Sequence, residues 1–201
     1  MTNGFTLERE RHERLAKEGQ KPKIMAIACC DSRAAPENIF DSNPGEIFVL
    51  RNIGNVVPPF MKDGGYHSTS AAIEYAVQAL NVQHIVVLGH GLCGGIQALL
   101  EEKEPLSSGD FVGKWMENMR PIAQEIIKDK TLSPEQKQRA LEYKSIKRSL
   151  QNLRTFPFIK KDEENNKIFL HGAWFCIATG ELFVLDQEQD DFYPIQTKPE
   201  K

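Results

Sequence analysis

The sequence predicts an α/β fold in which a central, mostly parallel β-sheet is flanked by helices. Five short apolar runs, rich in β-branched or aromatic residues and bounded by turn residues, predict the strands, at residues 24–29, 46–50, 84–89, 168–176 and 181–185. The run Ile85-Val86-Val87-Leu88 is continuously apolar, which is typical of a central parallel strand. A helical pattern leads directly into this run, and such helix-to-strand alternation favours parallel pairing.

The other predicted elements follow in chain order. Residues 6–18 are dense in charge and predict a solvated helix, so we expect residues 1–19 to form an N-terminal helical arm. The helix at residues 70–80 is apolar almost all round, with one polar stripe, and is expected to be buried on most sides. Ser133, Pro134 and Gln136 are typical of a helix start. The last two strands predict a hairpin at the sheet edge. The main domain therefore covers residues 20–186, followed by a tail at residues 187–201.

The composition favours one globular domain that binds neither nucleic acid nor a membrane. With 201 residues and 40% hydrophobic content, the chain can form one substantial core. The net charge is -3 and no basic stripe alternates with aromatic residues, so nucleic acid is not an expected partner. No apolar stretch reaches the length of a membrane span, and the charged start is not typical of a secretory signal. The four cysteines lack the pattern of a small secreted protein, so we expect a cytoplasmic location.

Two short motifs supply the donor set of a metal site. Cys29 and Cys30 stand at the end of the first predicted strand, while His90 and Cys93 follow the strand at residues 84–89. In an open α/β sheet, functional residues collect at these carboxyl ends. A single cysteine is more often a buried core residue, but the combined set matches Zn²⁺ with an open fourth position. Because side chains alternate along a strand, only one of the two adjacent cysteines can reach a shared metal.

These motifs resemble a known signature. The pattern Cys29-x-Asp31-Ser32-Arg33 together with Gly89-His90-x-x-Cys93-Gly94-Gly95 is similar to the β-class carbonic anhydrases, and most closely to their plant-type branch. The similarity covers residues 20–186 and includes further segments at residues 44–46, 51–55, 57–59, 71–77 and 152–158. The resemblance implies Zn²⁺ held by Cys29, His90 and Cys93, with Cys30 as the variable position of the motif.

The resemblance also implies roles for Asp31 and Arg33. Arg33 pairs with Asp31 and keeps its carboxylate off the metal, and in a closed state Asp31 becomes the fourth metal ligand. A planar guanidinium matches a carboxylate bidentately, so Arg33 fixes both the charge and the orientation of Asp31. An exposed ion pair alone would contribute little stability, but partners of this kind commonly orient metal sites. Asp31 and Arg33 are therefore the expected catalytic residues.

The implied activity is that of a zinc lyase, carbonate dehydratase, which hydrates CO₂ reversibly to bicarbonate and a proton. The substrate-binding residues that the resemblance implies are Gln20, Phe48, Ile53, Tyr75 and Gly94. From the sequence alone, Phe48 and Tyr75 are more typical of ordinary core residues and Gln20 of a solvated loop. CO₂ has no permanent dipole, so a largely apolar pocket with few donors suits it. In the plant-type branch the pocket lies at a dimer interface, and Gln20 and Phe48 come partly from the neighbour. The expected assembly is a homodimer or a higher homo-oligomer.

Three alternatives remain at this stage. The same site could hydrolyse carbon disulfide or carbonyl sulfide, or the fold could serve a non-catalytic zinc-binding protein. A thiol redox protein using Cys29 and Cys30 would be active without metal.

A second, inhibitory bicarbonate site is not expected, because Ala26 occupies the position where some family members have a tryptophan, although Arg51 is present. Tyr66 and His67 are candidate proton shuttles, since imidazole titrates near neutrality.

Overall fold

Six β-strands form one sheet in the computed structural model, which describes residues 9–195. The strands are β1 (Ile24–Cys29), β2 (Ile47–Asn52), β3 (His84–His90), β4 (Phe169–Phe175), β5 (Leu182–Asp186) and β6 (Asp191–Pro194). Their order across the sheet is β2-β1-β3-β4-β5-β6. The first four strands pair in parallel, whereas β4 with β5 and β5 with β6 pair antiparallel.

The helices lie mostly in the connections between strands and pack against the faces of the sheet. They are α1 (Arg9–Glu18), α2 (Pro36–Ile39), α3 (Ser68–Glu74), α4 (Gly94–Leu100), α5 (Phe111–Met116), α6 (Arg120–Lys128), α7 (Pro134–Leu153) and α8 (Pro157–Glu164). A π-helical turn, Tyr75–Ala79, continues α3, and short 3₁₀ turns lie at Ile53–Asn55 and Glu117–Met119. Helix α7 begins with the capping box of Ser133 and Gln136. Within the described residues, no helix is long and apolar enough to cross a membrane.

The predicted α/β class with its mostly parallel sheet is confirmed. The five predicted strands are present, and the last two form the expected antiparallel hairpin. Strand β6 was not predicted, because its sequence Asp-Phe-Tyr-Pro lies in the acidic, Pro-containing tail and lacks apolar alternation. It pairs with β5 and becomes the outermost strand. Residues 1–8 of the predicted arm and residues 196–201 of the predicted tail lie outside the described residues.

The helix expected at residues 70–80 is buried on one face only within the single chain. Ile73, Ala76 and Val77 are buried, while Ala71 and Tyr75 are exposed. The expectation of burial on most sides is therefore wrong for the isolated chain. Helix α1 also has no buried residue, which agrees with its charged sequence.

Helix α7 packs closely across β3 and β4 at two glycines. A Cβ on Gly89 would lie 2.7 Å from Cδ1 of Ile146, and one on Gly172 would lie 2.9 Å from Cγ2 of the same residue. Ile146 is completely buried, so it has little room to move aside. This close approach brings Glu142 of α7 within hydrogen-bonding distance of Cys93, just after β3, and of Trp174 on β4.

Candidate metal centre

The parallel pairing of β1 and β3 brings the two predicted motifs together. Cys29 is the last residue of β1, and His90 is the last residue of β3. After His90 the chain turns through Leu92, whose positive φ of 56° is in the left-handed region. This turn places Cys93 at the residue that precedes helix α4. Three side chains from two strand ends and one helix start therefore converge on one point.

The three converging side chains form a compact donor group. The ligand atoms of Cys29, His90 and Cys93 all lie within 4.8 Å of one another, and all three residues are buried. The two Sγ atoms are 3.9 Å apart. In residues 9–195 this is the one group of three or more histidine, cysteine or acidic residues that could hold a metal ion. Cys30 is exposed and does not belong to this group.

His90 offers a nitrogen that fits a metal ion. Its Nδ1 lies 2.9 Å from the carbonyl oxygen of Gly91, which can only accept, so Nδ1 carries the proton and Nε2 a lone pair. Nε2 is buried and has no hydrogen-bond partner among the described residues. A buried polar atom without a partner is rare in native structures. A metal bound by Nε2 and the two sulfur atoms would satisfy it, so these residues fit a soft-donor metal such as Zn²⁺.

The two cysteine sulfur atoms shift each other's pKa in opposite directions. The Sγ atoms of Cys29 and Cys93 are within hydrogen-bonding distance, and this contact lowers the pKa of Cys29 against the opposing effect of burial. The same contact, together with burial, raises the pKa of Cys93. The backbone N–H of Gly54 also donates to the Cys29 sulfur, at 3.4 Å. A metal held by both sulfur atoms would require both as thiolates, so its binding would release the thiol protons.

Asp31 and Arg33 form a bidentate pair beside this group. Nε of Arg33 lies 2.9 Å from Oδ1 of Asp31 and Nη2 lies 2.8 Å from Oδ2, while the Arg33 backbone N–H donates to Oδ1 at 3.0 Å. These contacts, mainly the side-chain ones, hold the pKa of Asp31 well below its usual range. Nη2 of Arg33 also donates to the carbonyl of Leu92, at 3.3 Å. The guanidinium therefore joins the Asp31 carboxylate to the turn that carries Cys93.

Comparison with known proteins identifies the family of the chain that carries this donor group. The family model described as carbonic anhydrase matches residues 24–182. The chain is 35% identical over 190 residues to β carbonic anhydrase 3 of Arabidopsis thaliana, covering 92% of this chain and 73% of that protein. The chain belongs to the β-class carbonic anhydrases.

Solved structures of the family share the whole architecture. The β-carbonic anhydrase CcaA superimposes with a TM-score of 0.88 at 31% identity, covering 98% of this chain and 87% of that chain. One of two tetrameric β-carbonic anhydrases from Sordaria macrospora superimposes with a TM-score of 0.76 at 29% identity, and the match covers 90% of each chain. The plant-type resemblance of the sequence motifs agrees with the Arabidopsis relative.

The structure brings some of the predicted substrate residues of this carbonic anhydrase close to the donor group. Ile53 directly follows β2, and its Cγ2 would lie 2.8 Å from a Cβ on Gly95, next to the start of α4. Its side chain is 38% exposed and its carbonyl accepts a hydrogen bond from Trp115 at 2.8 Å. Gly94 is exposed, and a Cβ there would meet nothing within 4 Å. Ile53 and Gly94 therefore border open space at the carboxyl edge of the sheet.

Other predicted substrate residues lie away from the donor group within one chain. Gln20 precedes β1, whose ends are roughly 17 Å apart, so it lies near the opposite edge of the sheet from Cys29. Phe48 pairs with Met25 near the start of β1. The Phe48 ring contacts the half-exposed ring of Tyr75, with centroids 5.9 Å apart. Within the single chain, Gln20 therefore does not lie near the donor group.

The candidate proton shuttles occupy the loop before α3. Tyr66 is fully exposed, and Nε2 of His67 lies 2.6 Å from Oδ1 of Asp63. This contact lowers the pKa of Asp63, and the two side chains form a salt bridge when His67 is protonated. Neither side chain belongs to the donor group.

The contacts of two residues around the site were not predicted by the sequence analysis, which named Arg51 only for a second bicarbonate site and did not name Glu142. Arg51 on β2 donates from Nε to the carbonyl of Cys29 at 2.8 Å and from Nη2 to the carbonyl of Asp31 at 2.6 Å. Glu142 on α7 accepts from the backbone N–H of Cys93 at 3.1 Å. Burial is the main cause that raises the pKa of Glu142. A signal for Glu142 existed, since it directly follows Leu141 on the packed face of a helix, where an unpaired charge is unusual.

Proposed function

We propose that this chain is a zinc enzyme that hydrates CO₂ reversibly to bicarbonate and a proton. The observation that carries the proposal is the buried group of Cys29, His90 and Cys93, in which Nε2 of His90 faces the sulfur atoms without another partner. These residues would hold Zn²⁺. When bound, the metal would supply a water molecule activated for attack at neutral pH.

The neighbouring residues have roles that follow from their contacts. Asp31 can accept a hydrogen bond from the attacking water and so direct an oxygen lone pair towards the carbon of CO₂. Arg33 holds the Asp31 carboxylate through both oxygens, which preserves its charge and fixes its plane. Ile53 offers an apolar wall beside the start of α4, where a molecule without a dipole can lie.

The assembly and compartment are also proposed. The partial exposure of Tyr75, the position of Gln20 at the far edge and the tetrameric relative from Sordaria macrospora support a homo-oligomer in which a second copy completes the substrate pocket. A reducing compartment such as the cytoplasm suits the chain, because all four cysteines are free and two of them are needed as thiolates.

The test combines metal analysis with stopped-flow CO₂ hydration. We expect about one zinc per chain, loss of activity on chelation and its recovery on adding Zn²⁺. Asp31→Asn should keep the metal but lower kcat roughly 10- to 100-fold, as expected for a partner that orients a metal site. Ser32→Ala, in the same loop, is the control and should stay near the wild-type rate. Zinc-loaded protein that is inert towards CO₂, or activity that survives complete metal removal, would contradict the proposal.

A further inference from the structure

Glu142 is a buried carboxylate next to Cys93 of the donor group. The residue lies on α7 and is only 3% exposed. Its Oε1 accepts from the backbone N–H of Cys93 at 3.1 Å and from Nε2 of Gln138 at 2.7 Å. Its Oε2 accepts from Nε1 of Trp174 on β4 at 3.0 Å. One side chain therefore connects α7, β4 and a candidate metal ligand.

The three partners of Glu142 are all donors. An ionised carboxylate only accepts, so it matches three N–H groups, whereas an amide in its place would turn an NH₂ group towards at least one donor. Burying such a charge costs free energy even when it is hydrogen-bonded, and apolar replacements of buried charged groups are often neutral for stability. The fold alone therefore gives little reason for a carboxylate at this position, and its contact with Cys93 gives a specific one.

Helix α7 holds both backbone polar groups of Cys93. Glu142 accepts from its N–H, and Nε2 of Gln138 donates to its carbonyl at 3.1 Å. On the other side, Arg33 donates to the carbonyl of Leu92. Leu92 itself has a left-handed backbone conformation, which is unfavourable for a leucine and persists only where surrounding contacts enforce it. The turn that carries Cys93 is thus held from both sides.

We propose that Glu142, together with Gln138, is a positioning residue that fixes Cys93 for metal binding. Through the backbone of Cys93 it sets the direction of the sulfur atom, and hence how tightly the metal is retained and how fast CO₂ is hydrated. The effect on hydration rests on the proposed function, whereas the effect on metal retention does not.

The decisive variant is Glu142→Gln, which keeps the shape of the side chain. We expect its Zn²⁺ retention, measured by competition with a chromophoric chelator, to weaken roughly 10- to 100-fold. The kcat for CO₂ hydration should fall while KM changes little, and the visible spectrum of the Co²⁺-loaded protein should shift because the sulfur-metal geometry changes. Glu163→Gln is the matched control, because Glu163 lies on α8 and its Oε1 forms an ion pair with Nη2 of Arg154 at 2.8 Å. It should retain the metal like the wild type.

The outcomes separate the two proposals. A folded Glu142→Gln protein with wild-type metal retention and an unchanged Co²⁺ spectrum would overturn the positioning role, whatever its activity. If Glu142→Gln fails to fold, Gln138→Met decides, because it removes the donor to both Glu142 and the Cys93 carbonyl. It should lose metal several-fold faster, and wild-type retention would overturn the role. A wild type that binds zinc tightly but does not hydrate CO₂ would contradict only the proposed function.

Discussion

The contact between Arg33 and Asp31 depends on the shape of a guanidinium as well as on its charge. Arg33 uses Nε and Nη2 for the two carboxylate oxygens, and the same Nη2 reaches the carbonyl of Leu92. Lysine would keep the charge but offers a single donor centre without a planar fork. The Asp31 carboxylate would then be free to rotate, and the turn before Cys93 would lose one of its supports.

We therefore expect Arg33→Lys to lower kcat/KM for CO₂ hydration roughly 10- to 100-fold while leaving the zinc content unchanged. Stopped-flow kinetics and metal analysis on the same preparation measure both quantities. Arg154→Lys is the control, because Nε and Nη2 of Arg154 pair with the two carboxylate oxygens of Glu163, away from the donor group. A wild-type rate for Arg33→Lys would show that charge alone is sufficient at this position.

The sequence predicted those residues whose chemistry is visible in their type and spacing. Cys29, His90 and Cys93 are identifiable because a soft donor set follows two strands, and parallel strands end at one edge. The contacts of Arg51 with two backbone carbonyls and of Glu142 with the backbone N–H of Cys93 were not predicted, because their partners are main-chain groups. Every residue carries such groups, so only the folded backbone shows which of them lie within reach.

At the level of elements, a histidine pair joins β3 and β4. Nδ1 of His84 lies 3.1 Å from Nε2 of His171, and the ring of Phe169 stacks on His84 with centroids 5.5 Å apart. Burial, and secondarily the neighbouring His84, lowers the pKa of His171. His171 therefore binds fewer protons in the folded protein than in the unfolded chain, where a histidine has a pKa of about 6.5. Stability should fall as the pH drops through that unfolded value.

His171→Gln should remove this contribution while keeping a group that can hydrogen-bond to His84. We expect the wild type to lose more free energy of unfolding than the variant between about pH 7.5 and about pH 5.5. Urea unfolding midpoints and slopes at the two pH values measure the difference, and carboxylates that titrate in both proteins cancel in the comparison. Equal losses in the two proteins would show that His171 does not contribute to the acid sensitivity.

The elements themselves were predicted to different extents. The parallel strands were recognised because buried β-branched runs stand between turn residues. Strand β6 depends on pairing with β5 for its existence, and its own sequence gives no strand pattern. The π-helical turn Tyr75–Ala79 also has no sequence signature, since it differs from an α-helix in its hydrogen-bond spacing, as in the bond from the N–H of Leu80 to the carbonyl of Tyr75.

At the level of the whole molecule, the helix that runs from α3 into the π-turn presents an unusual surface. Its inward residues join the main core, but Ala71, Tyr75 and Ala79 form an exposed apolar stripe at helical spacing. Tyr75 is 51% exposed and contacts Phe48. The segment's sequence is apolar almost all round, which is typical of a helix covered on several sides. A second copy of the chain is the covering that the proposed assembly provides.

A charge placed in this stripe should therefore disrupt the assembly. Ala71→Arg is expected to lower the mass measured by size-exclusion chromatography with light scattering, because the new charge would have to be buried at the interface without a partner. Glu74→Arg is the control, since Glu74 is exposed on the polar stripe of the same helix and the wild-type mass should persist. If Ala71→Arg keeps the wild-type mass, the stripe lies outside the interface. If the mass falls, CO₂ hydration should fall with it, because in the proposed assembly the neighbouring copy completes the substrate pocket.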